Sequence, residues 1–314
     1  MQLTLLLTIS ILAAHLKRIS FFNLFHSVAA LLHKNCLLSL PVEAKSLPEL
    51  KALVCGANFS EAQTSNLYIA TGLIHLFVVS GAHLILIKKI LDFIFAFLKL
   101  EKIGSWLCAF ILIYFSASCA FNAPVTRALL SFLLADDFIF KKNFWPQHFR
   151  IFVVGLLTLL FNSLWISSLS LQLSWLIALG LYLNRNYFSQ RHLLFQQIIN
   201  MSLIYPTLLF LQVPQPIIAL LHLVFSAFLE LILFPLALLV RFFHFLAPLF
   251  DLLILLLKNI LIKTEVSYQL QTAETPPTLV IFNWGLIFVI HFTIHIFHLK
   301  KEREKLCFTE KLTG

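Results

Sequence analysis

The sequence predicts an all-α polytopic integral membrane protein with about nine or ten membrane segments, one of them a broken or re-entrant segment near residues 67–82. Three observations carry this. Hydrophobic residues make up 60% of the 314 residues and charged residues 12%, against about 25% charged in a typical soluble domain. Mean hydropathy is +0.92, and phenylalanine alone supplies 33 residues. The apolar residues also fall into runs of the roughly 20 residues that a helix needs to cross ~30 Å of hydrocarbon. In lipid each backbone N–H and C=O must be satisfied within its own segment, so such runs are read as helices. The stretches between them are too short for a globular enzyme domain.

Residues 1–40 hold two N-terminal membrane segments. The first is followed by Lys17 and Arg18. A secretory signal carries its charge before the apolar run, so this segment is read as ending in the cytoplasm. The second is interrupted by His33, Lys34 and Asn35. Residues 41–66 form a short external polar segment. The core, 67–262, contains apolar runs at about 67–98, 103–121, 123–140, 149–164, 165–183, 192–212, 216–240 and 242–262. The run at 67–98 is too long for one straight span and is broken at Ser80-Gly81. It divides into a re-entrant piece at 67–80 and a span at 82–98. An external loop at 263–278, a last membrane helix at 279–299 and a cytoplasmic basic tail at 300–314 complete the chain.

The net charge of +9 would suggest nucleic acid in a soluble protein. Here most of it maps to alternate turns, at Lys99, Lys102, Lys141, Lys142, Arg150, Arg185, Arg191, Arg241, Lys300, Lys301 and Arg303. The turns between them, near 121–123, 163–166 and 212–216, carry no Lys or Arg. Basic loops stay in the cytoplasm, so this alternation sets the expected topology. The five cysteines, Cys36, Cys55, Cys108, Cys119 and Cys307, are odd in number and include no CxxC. Several lie in apolar runs, a pattern that favours free buried thiols over disulfides or zinc.

Polar residues inside apolar runs are functional candidates, because lipid penalises them. His75 and His83 flank the Ser80-Gly81 break, where Gly81 permits a close backbone approach or a positive φ. Packed histidines between helices are the competing reading, and no G-x-S-x-G elbow supports a Ser80 nucleophile. Asn122 is a good N-cap for a helix whose first turn holds Pro124, and Arg127 follows one turn in. A helix N-terminus with an added guanidinium attracts phosphate. The competing reading pairs Arg127 with Asp136, Asp92 or Glu230. Ser167, Ser170 and Ser174 repeat on one helical face beside Gln172, as a polar path or as helix–helix glue. Glu230 and Asp251 are intramembrane acids, and Glu230 is the candidate coupling acid. His291, His295 and His298 share a face that suits a metal or simple packing, with packing favoured; no metal site and no cofactor is assigned.

The order of these clusters resembles the ComEC-type competence protein family. Leu53-Val54-Cys55-Gly56 and then Gly72-x-x-His75-Leu76-Phe77-Val78-Val79-Ser80-Gly81-Ala82-His83 resemble its G-L-S-H-L-x-x-x-S-G-x-H block. Pro124-Val125-Thr126-Arg127-Ala128 resembles P-x-x-R-A. Asn162-Ser163-Leu164, ahead of Gln172-Leu173-Ser174, resembles an N-P-L turn before a Q-L-S span. Pro206 and Pro235 fall where later spans carry prolines, and the resemblance covers about 45–262. Ile74, Ala82, Ser163 and Glu230 stand where the family usually has Ser, Leu, Pro and Asn.

The resemblance implies a bacterial inner-membrane, multi-pass channel that conducts single-stranded DNA into the cytoplasm during natural transformation. It implies an external DNA-receptor protein and a cytoplasmic translocase as partners, with a homodimer as one arrangement. Arg127, Asn122, Gln172 and Ser174 would contact or brace the DNA path. Gly72, His75, Ser80, Gly81 and His83 would shape the broken gating segment. No H-x-H-x-D-H and no G-x-x-x-x-G-K-[ST] occurs, so neither nuclease nor ATPase activity is expected of this chain. The rival readings are a small-solute or ion transporter on a related scaffold and a non-transporting remnant or assembly scaffold.

Overall fold

The computed structural model describes residues 20–57, 67, 68, 73, 77, 79–135, 146–188, 202, 203, 206, 207, 225–264 and 277–313, with side chains only within 26–300. Ten α-helices and no strand occur among the described residues. They are α1 (Ser20–Leu38), α2 (Leu47–Cys55), α3 (Gly81–Phe97), α4 (Glu101–Ser118), α5 (Ala123–Ala135), α6 (Gln147–Phe161), α7 (Leu169–Leu183), α8 (Phe234–Phe242), α9 (Ala247–Thr264) and α10 (Pro277–Thr313). A 3-10 turn, Ser163–Ser167, leads into α7, and a π-helical turn, Leu229–Leu233, leads into α8. Three helical stretches are long and apolar enough to cross a membrane: Phe225–Phe242, His244–Lys263 and Pro277–Lys300. Three more, Ile103–Ser118, Ala123–Leu134 and Gln147–Phe161, are apolar but shorter. The membrane character follows; nine or ten segments is a larger number than these lengths establish.

Local chemistry explains where the helices begin. Ser80 adopts extended backbone and its Oγ accepts the Ala82 N–H at 3.2 Å, while His83 closes a capping box. Asn122 Oδ1 accepts the Val125 N–H at 3.3 Å ahead of α5, with Pro124 in the first turn, where its missing N–H costs nothing. Ser168 Oγ accepts the Leu171 N–H and starts α7. The helix α2 ends at Gly56, whose φ of 65° is the left-handed C-cap conformation that glycine adopts without strain.

Three apolar clusters hold the helices together. One joins α2, α8 and α9 through Leu50, Leu53, Leu233, Val240, Phe250 and Ile254. A second joins α1, α3, α4 and α5, and takes Phe234 from α8. The third packs Trp175, Leu176 and Leu179 of α7 against Leu159 of α6 and Ile287 and Ile294 of α10.

Cys36 and Cys55 form a disulfide, with Cα atoms 5.8 Å apart. The expectation of free thiols is corrected here: the turn after α1 returns α2 alongside it, and that meeting of distant residues leaves no spacing signature. Cys108 and Cys119 are free and buried. The loop charges also mislead at one point. Arg241 Nε donates to Ser39 Oγ at 3.1 Å, and Asp251 accepts the Lys45 and Ser46 N–H groups at 3.0 and 2.8 Å. The turn after α8 therefore sits at the same end of the bundle as the turn after α1, where the alternation of basic loops placed them at opposite ends. We call this the disulfide end.

Candidate functional site

The turn that leads into α5 is held in a costly conformation. Ala120 and Phe121 have φ of 52° and 46°, a region that costs a residue with a side chain about 1–2 kcal/mol. Hydrogen bonds fix it: Ala120 N–H donates to Ala117 O and Phe121 N–H to Ser116 O, both at 2.9 Å. Thr126 Oγ1 donates to Phe121 O at 2.8 Å. Across the turn lies Gly56, where a Cβ would come within 3.0 Å of Asn122 Nδ2 and 3.1 Å of Cys119 Cβ. The end of α2 thus sets the position of the Asn122 cap.

Arg127 lies one turn further along α5 and is 9% exposed. Its Nε donates to Ser174 Oγ of α7 at 2.9 Å. No ion pair to it occurs among the described residues. Of the carboxylates expected to compete for it, Asp92 pairs with Lys88 at 2.8 Å, Glu230 makes no ion pair among the described residues, and Asp136 lies outside them. The result is a guanidinium inside the bundle, held by a hydroxyl and without a counter-ion among the described residues. Such a group is costly unless an anion visits it.

The break at Ser80-Gly81 abuts the same helix. A Cβ at Gly81 would meet Ala128 Cβ at 3.1 Å, so this glycine serves close approach; its φ is not among the positive ones. His83 is buried, and its Nδ1 accepts the Ser80 N–H at 2.9 Å. Gly72 and His75, the other members of the expected gating segment, lie outside the described residues. Ser80-Gly81, Arg127 and Ser174 therefore form one belt across α3, α5 and α7, with His83 turned to Phe234 of α8 and Asn122 at the start of α5.

Gln172 is part of the scaffold of this belt. It is fully buried; its Nε2 donates to Ile166 O at 3.1 Å and Val280 O at 3.5 Å. Its Oε1 accepts from Asn283 Nδ2 at 3.0 Å, and Asn283 Oδ1 accepts from Thr207 Oγ1 at 2.7 Å. All of its bonding capacity faces protein, so it braces α7 against α10. Asn283 and Thr207 escaped sequence reasoning; Asn283 could have been found as the lone amide in the last apolar run. The expected serine face divides. Ser167 belongs to the 3-10 turn and bonds Leu164 O at 2.9 Å, and Ser170 is exposed beside Ser168. Ser174 alone turns to Arg127, because α7 begins only at Leu169.

The remaining polar residues take structural places. Asp251 anchors the turn that enters α2, as described above. Glu49 is fully buried, pairs with Lys258 of α9 at 2.6 Å and accepts from Tyr68 at 3.3 Å. His291 Nε2 accepts from Trp175 Nε1 at 3.0 Å. His295 and His298 pack against His148, with ring centroids 5.8 and 4.9 Å apart. No group of three ligands able to hold a metal ion occurs among the described residues.

No curated protein and no solved structure matches the chain significantly. The family model described as "Competence protein" matches residues 53–301. That is more than three-quarters of the chain, and it reaches past residue 262 to take in the first two-thirds of α10, with Asn283. The chain is a membrane protein that belongs to the Competence protein family.

Proposed function

We propose that this chain is a channel for single-stranded DNA in the bacterial inner membrane, serving uptake during natural transformation. The observation that carries the reading is Arg127: a buried cation with no counter-ion among the described residues, one turn inside a capped helix, next to a broken segment. Membership of the Competence protein family supports the same reading. A phosphodiester is the anion such a site suits, because the guanidinium offers planar paired donors to phosphate oxygens. Contacts to the backbone alone leave base identity unread, so passage would not depend on sequence.

The disulfide adds a direction. Disulfides persist where the compartment is oxidising, so the disulfide end faces outward and the Asn122 cap meets incoming DNA. On this reading the chain positions and conducts the strand and carries out no catalysis; an external DNA receptor delivers DNA and a cytoplasmic translocase draws it in. Replacing Arg127 by Ala at normal membrane abundance is expected to abolish transformation. Unchanged DNA uptake in that strain would refute the channel reading.

A further inference from the structure

Buried His83 Nε2 and half-buried Glu230 both lack a hydrogen-bond partner among the described residues, and they lie on facing elements. His83 is 1% exposed. Its Nδ1 accepts the Ser80 backbone N–H at 2.9 Å. A backbone N–H only donates, so Nδ1 carries the lone pair and the neutral ring bears its proton on Nε2. That Nε2 is buried without a hydrogen-bond partner among the described residues. The ring lies against Phe234, with centroids 4.1 Å apart.

Glu230 precedes Phe234 by four residues and shares its face of the helix. Phe234 packs into the α3–α4 cluster, and Leu238, one turn on, borders both that cluster and the one with α2 and α9. Leu229, Leu233 and Ala237 turn the other way, toward α2 and α9. Glu230 makes no hydrogen bond or ion pair among the described residues. Its turn is π-helical over Leu229–Leu233, closed by Phe234 N–H donating to Leu229 O. Pro235 follows and has no N–H to offer Leu231 O, so the wider turn loses nothing there.

An ionised carboxylate at this depth needs a donor. A buried imidazole N–H needs an acceptor. Each group is what the other lacks. We propose that Glu230 is a proton-binding site whose deprotonated form is received by His83 Nε2–H. With the proton on, the carboxyl stays apart from the ring, as in this structure. With the proton released to water, the carboxylate accepts from Nε2 and draws the π turn onto the Ser80-Gly81 break. No other covalent bond changes. His83 of α3 is the group that meets this face, and Cys108 and Cys119 are those that α4 turns into the same cluster. Glu49, Tyr68 and Lys258 lie on the opposite face, with α2 and α9.

Infrared difference spectroscopy tests this on the full chain in phospholipid nanodiscs, titrated from acid to alkaline pH. The protonated carboxyl band of Glu230 is identified by its loss in Glu230→Gln. His83→Asn keeps a side-chain oxygen near the Nδ1 position to accept from Ser80 but has no distal donor. It should raise the midpoint of the band by about one pH unit or more. His83→Gln keeps a distal donor and should leave the midpoint near that of the native chain. Should His83→Asn fail to fold, Glu230→Asp shortens the arm with the ring intact and is expected to raise the midpoint too. The proposal is overturned if no band vanishes in Glu230→Gln, or if neither His83→Asn nor Glu230→Asp moves the midpoint. The readout needs no DNA, so its failure is separable from failure of the channel reading.

Discussion

Arg127 Nε and Ser174 Oγ meet at 2.9 Å across α5 and α7, and this bond orients the guanidinium from one side. Ser174→Ala leaves that nitrogen without its partner but keeps the charge. It is expected to lower transformation several-fold, whereas Arg127→Ala removes it. Arg127→Lys retains charge and loses the planar fork, so its transformation should fall between those two variants. Transformation frequency at matched membrane abundance checks the order, and an Arg127→Lys strain equal to the native one would remove the case for paired phosphate contacts.

Asn283 and Gln172 form the middle of a buried amide chain. Truncating either leaves a buried amide unsatisfied, which costs about 1–3 kcal/mol. Because both losses remove one shared bond, the double variant should be less destabilised than the two singles added together. Thermal unfolding in detergent measures this, and strict additivity would show that the amides do not depend on one another.

Gly155 and Gly285 make a contrasting pair. A Cβ at Gly155 would come within 2.1 Å of the Trp175 ring, while one at Gly285 meets nothing within 4 Å. Gly155→Ala should therefore cost about 1–3 kcal/mol or more through overpacking. Gly285→Ala should be neutral or slightly stabilising, since alanine favours helix. The same unfolding assay compares them.

Glu49 and Lys258 join α2 to α9 by an ion pair in which the carboxylate is fully buried. Lys258→Met strands that charge and should cost about 3–5 kcal/mol. Adding Glu49→Leu removes the stranded charge and should restore much of the loss. A double variant no better than Lys258→Met would argue that Glu49 is solvated in the protein.

Alkylation tests the cysteine pairing. In denatured, unreduced protein, Cys108 and Cys119 should label and Cys36 and Cys55 should not. Reduction should expose both. Labelling of all five without reductant would exclude the Cys36–Cys55 bond.

What the sequence revealed and what it hid divide along a physical line. Short-range chemistry was legible: Asn122 caps a helix, the chain breaks at Ser80-Gly81, and the described apolar runs become helices. These depend on neighbours within four residues. The partners of Arg127, Glu49 and Asp251, and Asn283 as the partner of Gln172, were not legible, because each lies 19 or more residues away. The Arg241 turn failed for a related reason: loop charge is a statistical pull on topology, and one arginine bonded to Ser39 need not obey it.

The anchoring of the turn into α2 by Asp251 has a consequence for biogenesis. The acceptor for the Lys45 and Ser46 N–H groups is Asp251, 206 and 205 residues further along the chain. At ~5–20 residues per second of synthesis, on the order of ten seconds or more passes between the two leaving the ribosome. During that interval the start of α2 has no Asp251 to receive it. A membrane insertase or chaperone that shields this segment would therefore act on the nascent chain until synthesis has passed Asp251.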